Sequence, residues 1–358
     1  MSTDTLQSIF DKALDRVALS GKEILSLLRI SQKDEFESLL HTARSLREAC
    51  FGREVFLYGF VYLSTYCRND CRFCYYRRSN TDPLRYRKSA EEIVAVSADL
   101  ARSGVHLIDL TMGEDPHYLS RGDAGLEDLA GIVGMVKQAT GLPVMISPGV
   151  VPADGLRRLA QAGADWYACY QETHSRDLFR NLRIEQDYDR RYRSKVLAHE
   201  IGLLIEEGLL CGIGEKDRDL LASLDAMRTL DADQVRVMNF IPQRGTPLET
   251  VPGTSGDRET HLIAILRLLF PDRLIPASLD VDGLDGLPMR LAAGANVVTS
   301  IIPPGKGLAG VARSSLDIDD SRRTPAGVAP ILEASGLESG SRGGYQNWLH
   351  HRIRVRSR

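Results

Sequence analysis

Short apolar runs alternate with amphipathic stretches eight times between residues 55 and 305. The runs are VFLYGFVYL, VHLIDLTM, PVMISPG, WYACYQE, GLLCGIGE, QVRVMNFIP, RLIPASLD and NVVTSIIP. The stretches between them carry apolar residues at three- and four-residue spacing, and several end at glycine, which indicates helices. Strand–helix alternation predicts parallel strands with right-handed crossovers, so the sequence predicts an α/β chain with a (β/α)8 TIM-type barrel. An open doubly wound sheet is the alternative, but no glycine-rich phosphate turn follows the first run.

The segments on either side of this pattern differ from it and from each other. Residues 1–54 contain three helical patterns, which predict an N-terminal helical segment packed on the barrel of residues 55–305. Residues 306–358 are weakly patterned and end in HHRIRVRSR, so we expect a C-terminal helix and a solvated or loosely packed tail.

Composition and charge exclude several classes of protein. The chain is 43% hydrophobic and 26% charged with a net charge of −3, so no basic field favours nucleic acid or an anionic membrane. No apolar run approaches the roughly 20 residues that span a bilayer, and the first residues lack the pattern of a signal peptide. We therefore expect a cytoplasmic protein without nucleic-acid or membrane partners, in which clustered cysteines bind metal rather than form disulfides.

Three of the six cysteines lie in TYCRNDCRFCYY, directly after the first predicted strand, with the spacing C-x3-C-x2-C. They are Cys67, Cys71 and Cys74, and active sites of such barrels lie at the carboxyl ends of strands. A structural zinc site needs four ligands, usually from two cysteine pairs, and the sequence has no second pair. A [4Fe-4S] cluster held by only three thiolates leaves one iron open for another ligand, so the spacing predicts such a cluster.

A C-x3-C-x-aromatic-C motif in the loop after the first strand resembles the radical S-adenosylmethionine (SAM) superfamily. The resemblance implies that SAM chelates the open iron and that a flavodoxin or ferredoxin-type donor supplies the electron that cleaves it to a 5′-deoxyadenosyl radical. It implies no catalytic side chain beyond the cluster and this radical. The positions that match the superfamily's SAM-binding residues are Phe73, Gly113 and Glu114 in TMGED, Glu172 in YQET, Arg191 in YDRRY, and Gly212 in GLLCGIGE. Arg190 and Arg193 are alternatives to Arg191, and Met112 replaces the first glycine of the family's Gly-Gly-Glu segment.

A narrower resemblance covers most of residues 20–310. Segments such as IDLTMGEDP, LPVMISPG, VRVMNFIPQRGTPLE and RLIPASLDVDGLDG are similar to the methylornithine synthases, a biotin-synthase-like radical SAM family. This resemblance implies the first step of pyrrolysine biosynthesis, in which L-lysine is isomerised to (3R)-3-methyl-D-ornithine by fragmentation and recombination. The alternatives are a radical SAM maturase of [FeFe] hydrogenase, another amino-acid-directed radical SAM enzyme, or a non-catalytic iron–sulfur protein. Biotin synthase would need a second cluster, for which Cys169 and Cys211 cannot supply four ligands.

An amino-acid substrate with two ammonium groups needs charged partners inside a barrel, because an unpaired buried charge is costly. Arg236 lies within the strand VRVMNF and can bind a carboxylate with two parallel hydrogen bonds. Ser278 and Asp280 share one face of the seventh strand, and Asp109 on the second strand is a further candidate for an ammonium group, with Asp115 nearby as its rival. These four positions match the family's substrate pocket. The alternative is an internal salt bridge in which Arg236 pairs with Asp280 or Asp109.

Overall fold

The computed structural model describes residues 3–254, 256–303 and 322–356 of the chain. Three helices precede the first strand: α1 (Thr3–Leu14), α2 (Gly21–Leu28) and α3 (Lys33–Phe51). The buried faces of α2 and α3 pack against one of the barrel helices, α11 (Gly256–Leu269). This contact agrees with the predicted packing of the N-terminal helices on the barrel, while the boundary at residue 54 stays a prediction.

Eight parallel strands form a near-closed barrel, which confirms the predicted fold. The strands are β1 (Glu54–Ser64), β2 (Leu107–Met112), β3 (Val144–Ser147), β4 (Trp166–Ala168), β5 (Leu204–Cys211), β6 (Gln234–Asn239), β7 (Pro276–Ser278) and β8 (Val297–Ile301). Strands β1 to β6 pair in chain order, β1 also pairs with β8, and β8 pairs with β7. The ring closes between β6 and β7, where the Val235 N–H donates to the Leu274 carbonyl at 3.0 Å.

Helices surround the strands, as the alternating pattern predicts. They are α4 (Ala90–Ser103), α5 (Pro116–Leu119), α6 (Asp123–Thr140), α7 (Ala153–Gln161), α8 (Arg176–Leu182), α9 (Tyr188–Ile201), α10 (Asp217–Thr229), α11 and α12 (Leu287–Ala292). Their ends follow local signals: α4 begins with a capping box between Ser89 and Glu92 and ends at Gly104 in the left-handed region. In the described ranges, no helix combines the length and apolar composition that crossing a bilayer requires.

The fifth strand lies earlier in the chain than the run GLLCGIGE predicts. It spans Leu204–Cys211, so it includes two consecutive glutamates, Glu206 and Glu207, and both are fully buried. Because successive side chains of a strand point to opposite faces, one glutamate enters the barrel and the other faces the helices outside. The apolar pattern alone missed this strand start, because two adjacent acids are typical of an exposed segment.

The C-terminal segment closes the amino end of the barrel. It contains α13 (Pro325–Ala334), a short strand β9 (Glu338–Ser339) that pairs with β1, and α14 (Arg342–Arg356). The Tyr345 hydroxyl of α14 lies 2.9 Å from that of Tyr58 on β1, and Trp348 stacks on Trp166 of β4 at 5.9 Å between ring centroids. We call α14 and the barrel residues that it contacts, Asp233 among them, the floor. A loosely packed tail is therefore wrong for residues 325–356, and the predicted boundary at 305–306 lies outside the described residues.

Candidate active site

The loop that carries the three cysteines, residues 65–89, has little regular structure but is firmly held. The Arg85 guanidinium donates to the carbonyl oxygens of Thr65, Tyr76, Arg77 and Asn80. Such a network satisfies backbone groups that a strand or helix would otherwise pair. The loop can therefore present its thiols in one fixed arrangement.

The three thiols border one cleft at the carboxyl end of the barrel, which encloses about 1090 Å³, part of it open to solvent. Cys71 Sγ accepts a hydrogen bond from Gln186 Nε2 at 3.0 Å, and Cys67 Sγ accepts one from the Asn69 N–H at 3.4 Å. Burial, together with the neighbouring Cys71, raises the pKa of Cys67 to about 11. The Cys67 side chain is therefore expected to lose its proton as iron binds.

The arrangement of the thiols fits a cluster better than a single ion. Across residues 3–254, 256–303 and 322–356, no three His, Cys, Asp or Glu side chains converge as the ligands of one metal ion. A cubane cluster has its iron atoms at separate corners, so its three ligands need not converge on one point. Three thiols around one cleft suit a [4Fe-4S] cluster, whose remaining iron takes a further ligand.

The backbone after β2 lies directly against the cysteine loop. A Cβ atom at Gly113 would meet Cys67 Cβ and the Tyr66 carbonyl oxygen, each at 2.8 Å, so only glycine fits there. Asp115, the rival of Asp109, is fully engaged: it accepts from Ser64 Oγ at 2.5 Å and from the Arg87 guanidinium at 2.8 Å. Its role is to join β1, the loop and α5.

Glu114 and Arg191 lie together at the edge of the cleft. Glu114 pairs with Arg191 at 3.2 Å and with Arg68 at 2.9 Å, while Arg191 Nε donates to the Tyr170 carbonyl at 2.7 Å. Burial opposes ionisation, but the two cations still hold the pKa of Glu114 below its usual range. Arg191 is buried, whereas Arg190 and Arg193 are exposed, so Arg191 is the one of the three that reaches the cleft.

Glu172 and Phe73 border the same cleft, together with a residue that the sequence did not predict. Arg183 pairs with the Glu172 carboxylate at 2.8 Å and lies 5.4 Å from the centroid of the Phe73 ring. Burial raises the pKa of Glu172, and the charge of Arg183 opposes that shift. Gly212, with φ 88°, begins the turn after β5 and does not border the cleft itself.

The predicted substrate residues lie deeper, in what we call the charged layer: Asp109, Glu206, Arg236, Ser278, Asp280 and Arg323. Arg236 Nε donates to Glu206 Oε1 at 2.6 Å, so its ion-pair partner is neither Asp280 nor Asp109. Asp280 accepts from Arg323 at 2.8 Å, from Ser300 at 2.6 Å and from Ser278 at 3.2 Å. The sequence predicted neither Glu206 nor Arg323, because the first required the correct start of β5 and the second is remote along the chain.

Asp109 differs from the other charged groups of this layer. Its Oδ1 and the hydroxyl of nearby Ser147 both lack hydrogen-bond partners among the described residues. Burial and the neighbouring Glu206 raise the pKa of Asp109 to about 7, although Arg236 opposes the shift. Ser147 also borders the cleft, so the unpaired carboxyl lies just beneath it.

Tyr170 is a second connection between the cleft and the charged layer. Its side chain borders the cleft, and its hydroxyl donates to Glu206 Oε2 at 2.7 Å. Its ring also lies 5.7 Å from the Arg236 guanidinium. The site therefore consists of two adjoining parts, an upper cleft with three thiols and a lower layer of buried charges.

A (β/α)8 barrel with three cysteines in the loop after its first strand defines the class of radical SAM enzymes, and the model of the Radical SAM superfamily matches residues 61–227. A 3-methylornithine synthase of Methanosarcina acetivorans is 44% identical over 338 residues, which cover 94% of this chain and 95% of the relative. The crystal structure of a methylornithine synthase superposes with a TM-score of 0.89 at 41% identity, covering 95% of this chain and 99% of that one. The chain belongs to the 3-methylornithine synthase family of the radical SAM superfamily.

A hydrogenase maturase is a more distant relative. The [FeFe] hydrogenase maturase subunit HydE of Thermotoga maritima is 30% identical over 297 residues, covering 82% of this chain and 83% of the relative. The comparisons therefore support the maturase alternative less well than they support a 3-methylornithine synthase. Family membership makes the chain an enzyme whose cofactors are a [4Fe-4S] cluster and SAM.

Proposed function

We propose that this enzyme isomerises L-lysine to (3R)-3-methyl-D-ornithine, the first step of pyrrolysine biosynthesis, with a low-potential flavodoxin or ferredoxin as electron donor. The observation that carries the substrate assignment is the charged layer beneath the cleft. It offers a cation for one carboxylate, and acids for two ammonium groups, within a buried space. Membership of the 3-methylornithine synthase family supports the same substrate.

The upper cleft has the residues that the two cofactors need. Cys67, Cys71 and Cys74 would hold the cluster, and bound SAM and cluster would supply the one-electron chemistry that removes hydrogen from the substrate. Glu114 and Glu172 provide acids for the SAM ammonium and ribose groups, and Arg191 provides a cation for the SAM carboxylate. Phe73 would pack on the adenine, while Gly212, which does not border the cleft, would contribute only by allowing the turn after β5.

Charge counting favours a diamino acid as the substrate. Arg236 is neutralised by Glu206, and Asp280 is neutralised by Arg323, so among the described residues of the layer these pairs leave only Asp109 uncompensated. Lysine carries one carboxylate and two ammonium groups and so brings one positive charge in excess. A nearby cation favours the ionised form of a carboxyl group, so Asp109 would lose its proton as lysine binds and would cancel this charge.

The remaining residues orient and enclose the substrate. Arg236 can hold the carboxylate while Ser278 donates to it, and Asp280 can accept from the α-ammonium group. Substrate fragments must recombine before they escape, so the space must exclude water. The Tyr58–Tyr345 contact supports this requirement, because it closes the barrel below the layer.

The direct test is anaerobic incubation of the reconstituted protein with lysine, SAM and a reductant, followed by mass spectrometry of the amino acids. We expect methylornithine to form. Norleucine, which has the same chain length as lysine but lacks the second ammonium group, is the matched control and should not compete with lysine. Cleavage of SAM without methylornithine would contradict the lysine assignment and leave the superfamily assignment intact.

A further inference from the structure

A short segment that follows β4 connects the two parts of the site. It consists of Tyr170, Gln171 and Glu172, and we call it the strap. The Tyr170 hydroxyl reaches Glu206 in the charged layer, and the Tyr170 carbonyl accepts from Arg191 at the cleft. The Glu172 carboxylate pairs with Arg183, which also donates to the Tyr170 carbonyl at 3.1 Å. The position of this short segment therefore determines where groups of both parts lie.

The strap has an unfavourable backbone conformation. Glu172 has φ 67°, in the left-handed region that buried residues other than glycine rarely adopt. Its N–H donates to the Gly208 carbonyl at 3.2 Å, and its carbonyl accepts from the Leu210 N–H at 2.9 Å. Such a conformation persists only where the surroundings over-determine it, so the neighbouring contacts must hold it.

A buried ion pair lies behind the strap, outside the barrel. Glu207 Oε1 accepts from the N–H groups of Gln171 at 2.9 Å and Gly208 at 2.8 Å. The Lys195 ammonium group donates to Glu207 Oε2 and, at 2.9 Å, to Gln171 Oε1. Both charged residues are fully buried, so solvent does not weaken these contacts. His174 Nε2 also approaches Glu207 Oε2, at 3.4 Å.

One face of α9 bears two of the side chains that hold the strap. Arg191 and Lys195 are one turn apart on α9, so their side chains leave the same face of the helix. The first donates to the Tyr170 carbonyl and the second to the Gln171 side chain. The Gln171 amide group also donates to the Tyr188 carbonyl at 3.0 Å, at the start of the same helix.

We propose that Lys195 and Glu207 are positioning residues that hold the strap, and through it Glu172 and Arg191, in the geometry that binds SAM. A buried ion pair adds little net stability compared with apolar residues of the same volume, so stability alone does not account for this one. The three hydrogen bonds that the pair makes to the strap and to β5 do account for it. The inference rests on the SAM role proposed above for Glu172 and Arg191.

The test uses the double substitution Lys195→Met/Glu207→Gln in the reconstituted protein. It removes both charges together, so no unpaired charge stays buried, and the new amide oxygen can still accept from the two backbone N–H groups. The matched control is Arg352→Met/Asp233→Asn at the floor. There, too, a buried carboxylate accepts from a backbone N–H, that of Ile205 at 2.8 Å, and from a helix cation. Arg356 is a second cation on this carboxylate, and the amide oxygen of the Asp233→Asn side chain can still accept from it.

Three quantities are measured on each protein: the Kd for SAM by calorimetry, amide hydrogen exchange of residues 169–174, and the melting temperature. We expect the strap variant to bind SAM about tenfold more weakly or worse, because small misplacements of binding groups are costly. Its exchange in 169–174 should be faster even without SAM, while its melting temperature stays close to that of the control. The control variant should keep wild-type SAM affinity and wild-type exchange in this segment.

Two results would overturn the proposal: unchanged SAM affinity and exchange in the strap variant, or an equal loss of affinity in both variants, which would mean a general loss of stability. Glu172→Gln separates this inference from the function on which it rests. If Glu172→Gln weakens SAM binding and the strap variant does not, only the positioning role fails. If neither weakens it, the SAM role of Glu172 fails as well.

Discussion

The floor and the charged layer both bury charges inside one barrel, but they satisfy those charges to different degrees. At the floor, Asp233 accepts from Arg352 at 2.7 Å, from Arg356 at 3.0 Å and from the Ile205 N–H at 2.8 Å. In the charged layer, Asp109 has an oxygen without a partner among the described residues, and a pKa raised to about 7. A saturated carboxylate stabilises a structure, whereas an unsatisfied buried one costs free energy that a ligand can recover.

The difference between the floor and the charged layer predicts different effects of substitution in each region. Substitutions at the floor should change the free energy of unfolding and leave substrate affinity alone. Substitutions in the cleft and the charged layer should change cofactor or substrate binding beyond any effect on stability. Each prediction below tests one side of this difference.

The largest effect is expected from Cys71→Ser in the upper cleft. Loss of one of three thiolates should prevent assembly of the cluster, so the visible absorption and the iron content of reconstituted protein should fall close to zero and activity should disappear. Cys50→Ser, at a half-buried cysteine outside the loop, is the matched control and should bind iron normally. Unchanged iron content in Cys71→Ser would show that the thiols do not hold the cluster.

Next in size is the removal of charge from Asp280. Asp280→Asn leaves the buried Arg323 guanidinium without a counter-ion, which should lower the free energy of unfolding by about 3 kcal/mol and reduce methylornithine formation much more than cluster content. The double substitution Asp280→Asn/Arg323→Met removes both charges and should recover most of the stability but not the activity. Recovery of wild-type activity in the double variant would mean that Asp280 serves only to neutralise Arg323.

Asp109 should make lysine binding depend on pH. Because its pKa is raised to about 7 and only the ionised form pairs with an ammonium group, the KM for lysine should fall as pH rises towards 7 and level off above it. The limiting slope is about tenfold per pH unit. Asp109→Asn should weaken lysine binding and abolish this slope, and a slope that persists in the variant would assign the titration to another group.

Asp109 should also make the free energy of unfolding depend on pH. Its contribution to stability should become less favourable as pH rises, whereas lysine binding becomes stronger. A carboxyl group whose folded pKa lies above its unfolded value of 3.8 binds more protons when folded, so its contribution is most favourable at low pH and is lost as pH rises to about 7. Asp109→Asn should therefore raise the melting temperature more at pH 8 than at pH 5. An equal change at both pH values would contradict a raised pKa.

The sequence was sufficient for the parts of the molecule that depend on local patterns. Strand–helix alternation predicted all eight strands in order, and cysteine spacing placed the thiols in the correct loop, because both signals are carried by nearby residues. The roles of the individual site residues stay predictions, although the structure brings Glu114 and Arg191 into contact as a shared site requires.

The sequence was insufficient where the partner is remote or the pattern is atypical. Arg323 meets Asp280 across 43 positions of the chain, and no spacing rule connects them. Glu206 and Glu207 look like a solvated pair, yet each is buried on a different face of β5. In the C-terminal helix a signal was available, since Tyr345, Leu349 and Arg352 recur at the spacing of one buried helix face. Its many arginines and histidines obscured that face, because long cationic side chains can cover apolar surface.

The smallest effect is expected at the floor, where Tyr345→Phe removes one hydroxyl from the pair with Tyr58. The free energy of unfolding should fall by about 1 kcal/mol, because the remaining buried hydroxyl loses its partner. The double substitution Tyr58→Phe/Tyr345→Phe should be closer to wild type than the single one, since removal of both hydroxyls leaves none unpaired. The KM for lysine and the Kd for SAM should stay unchanged in both variants. A raised lysine KM at wild-type stability would contradict the division between floor and charged layer. It would make Tyr58 part of the substrate site, because the charges of Glu206 and Arg236 act on this residue.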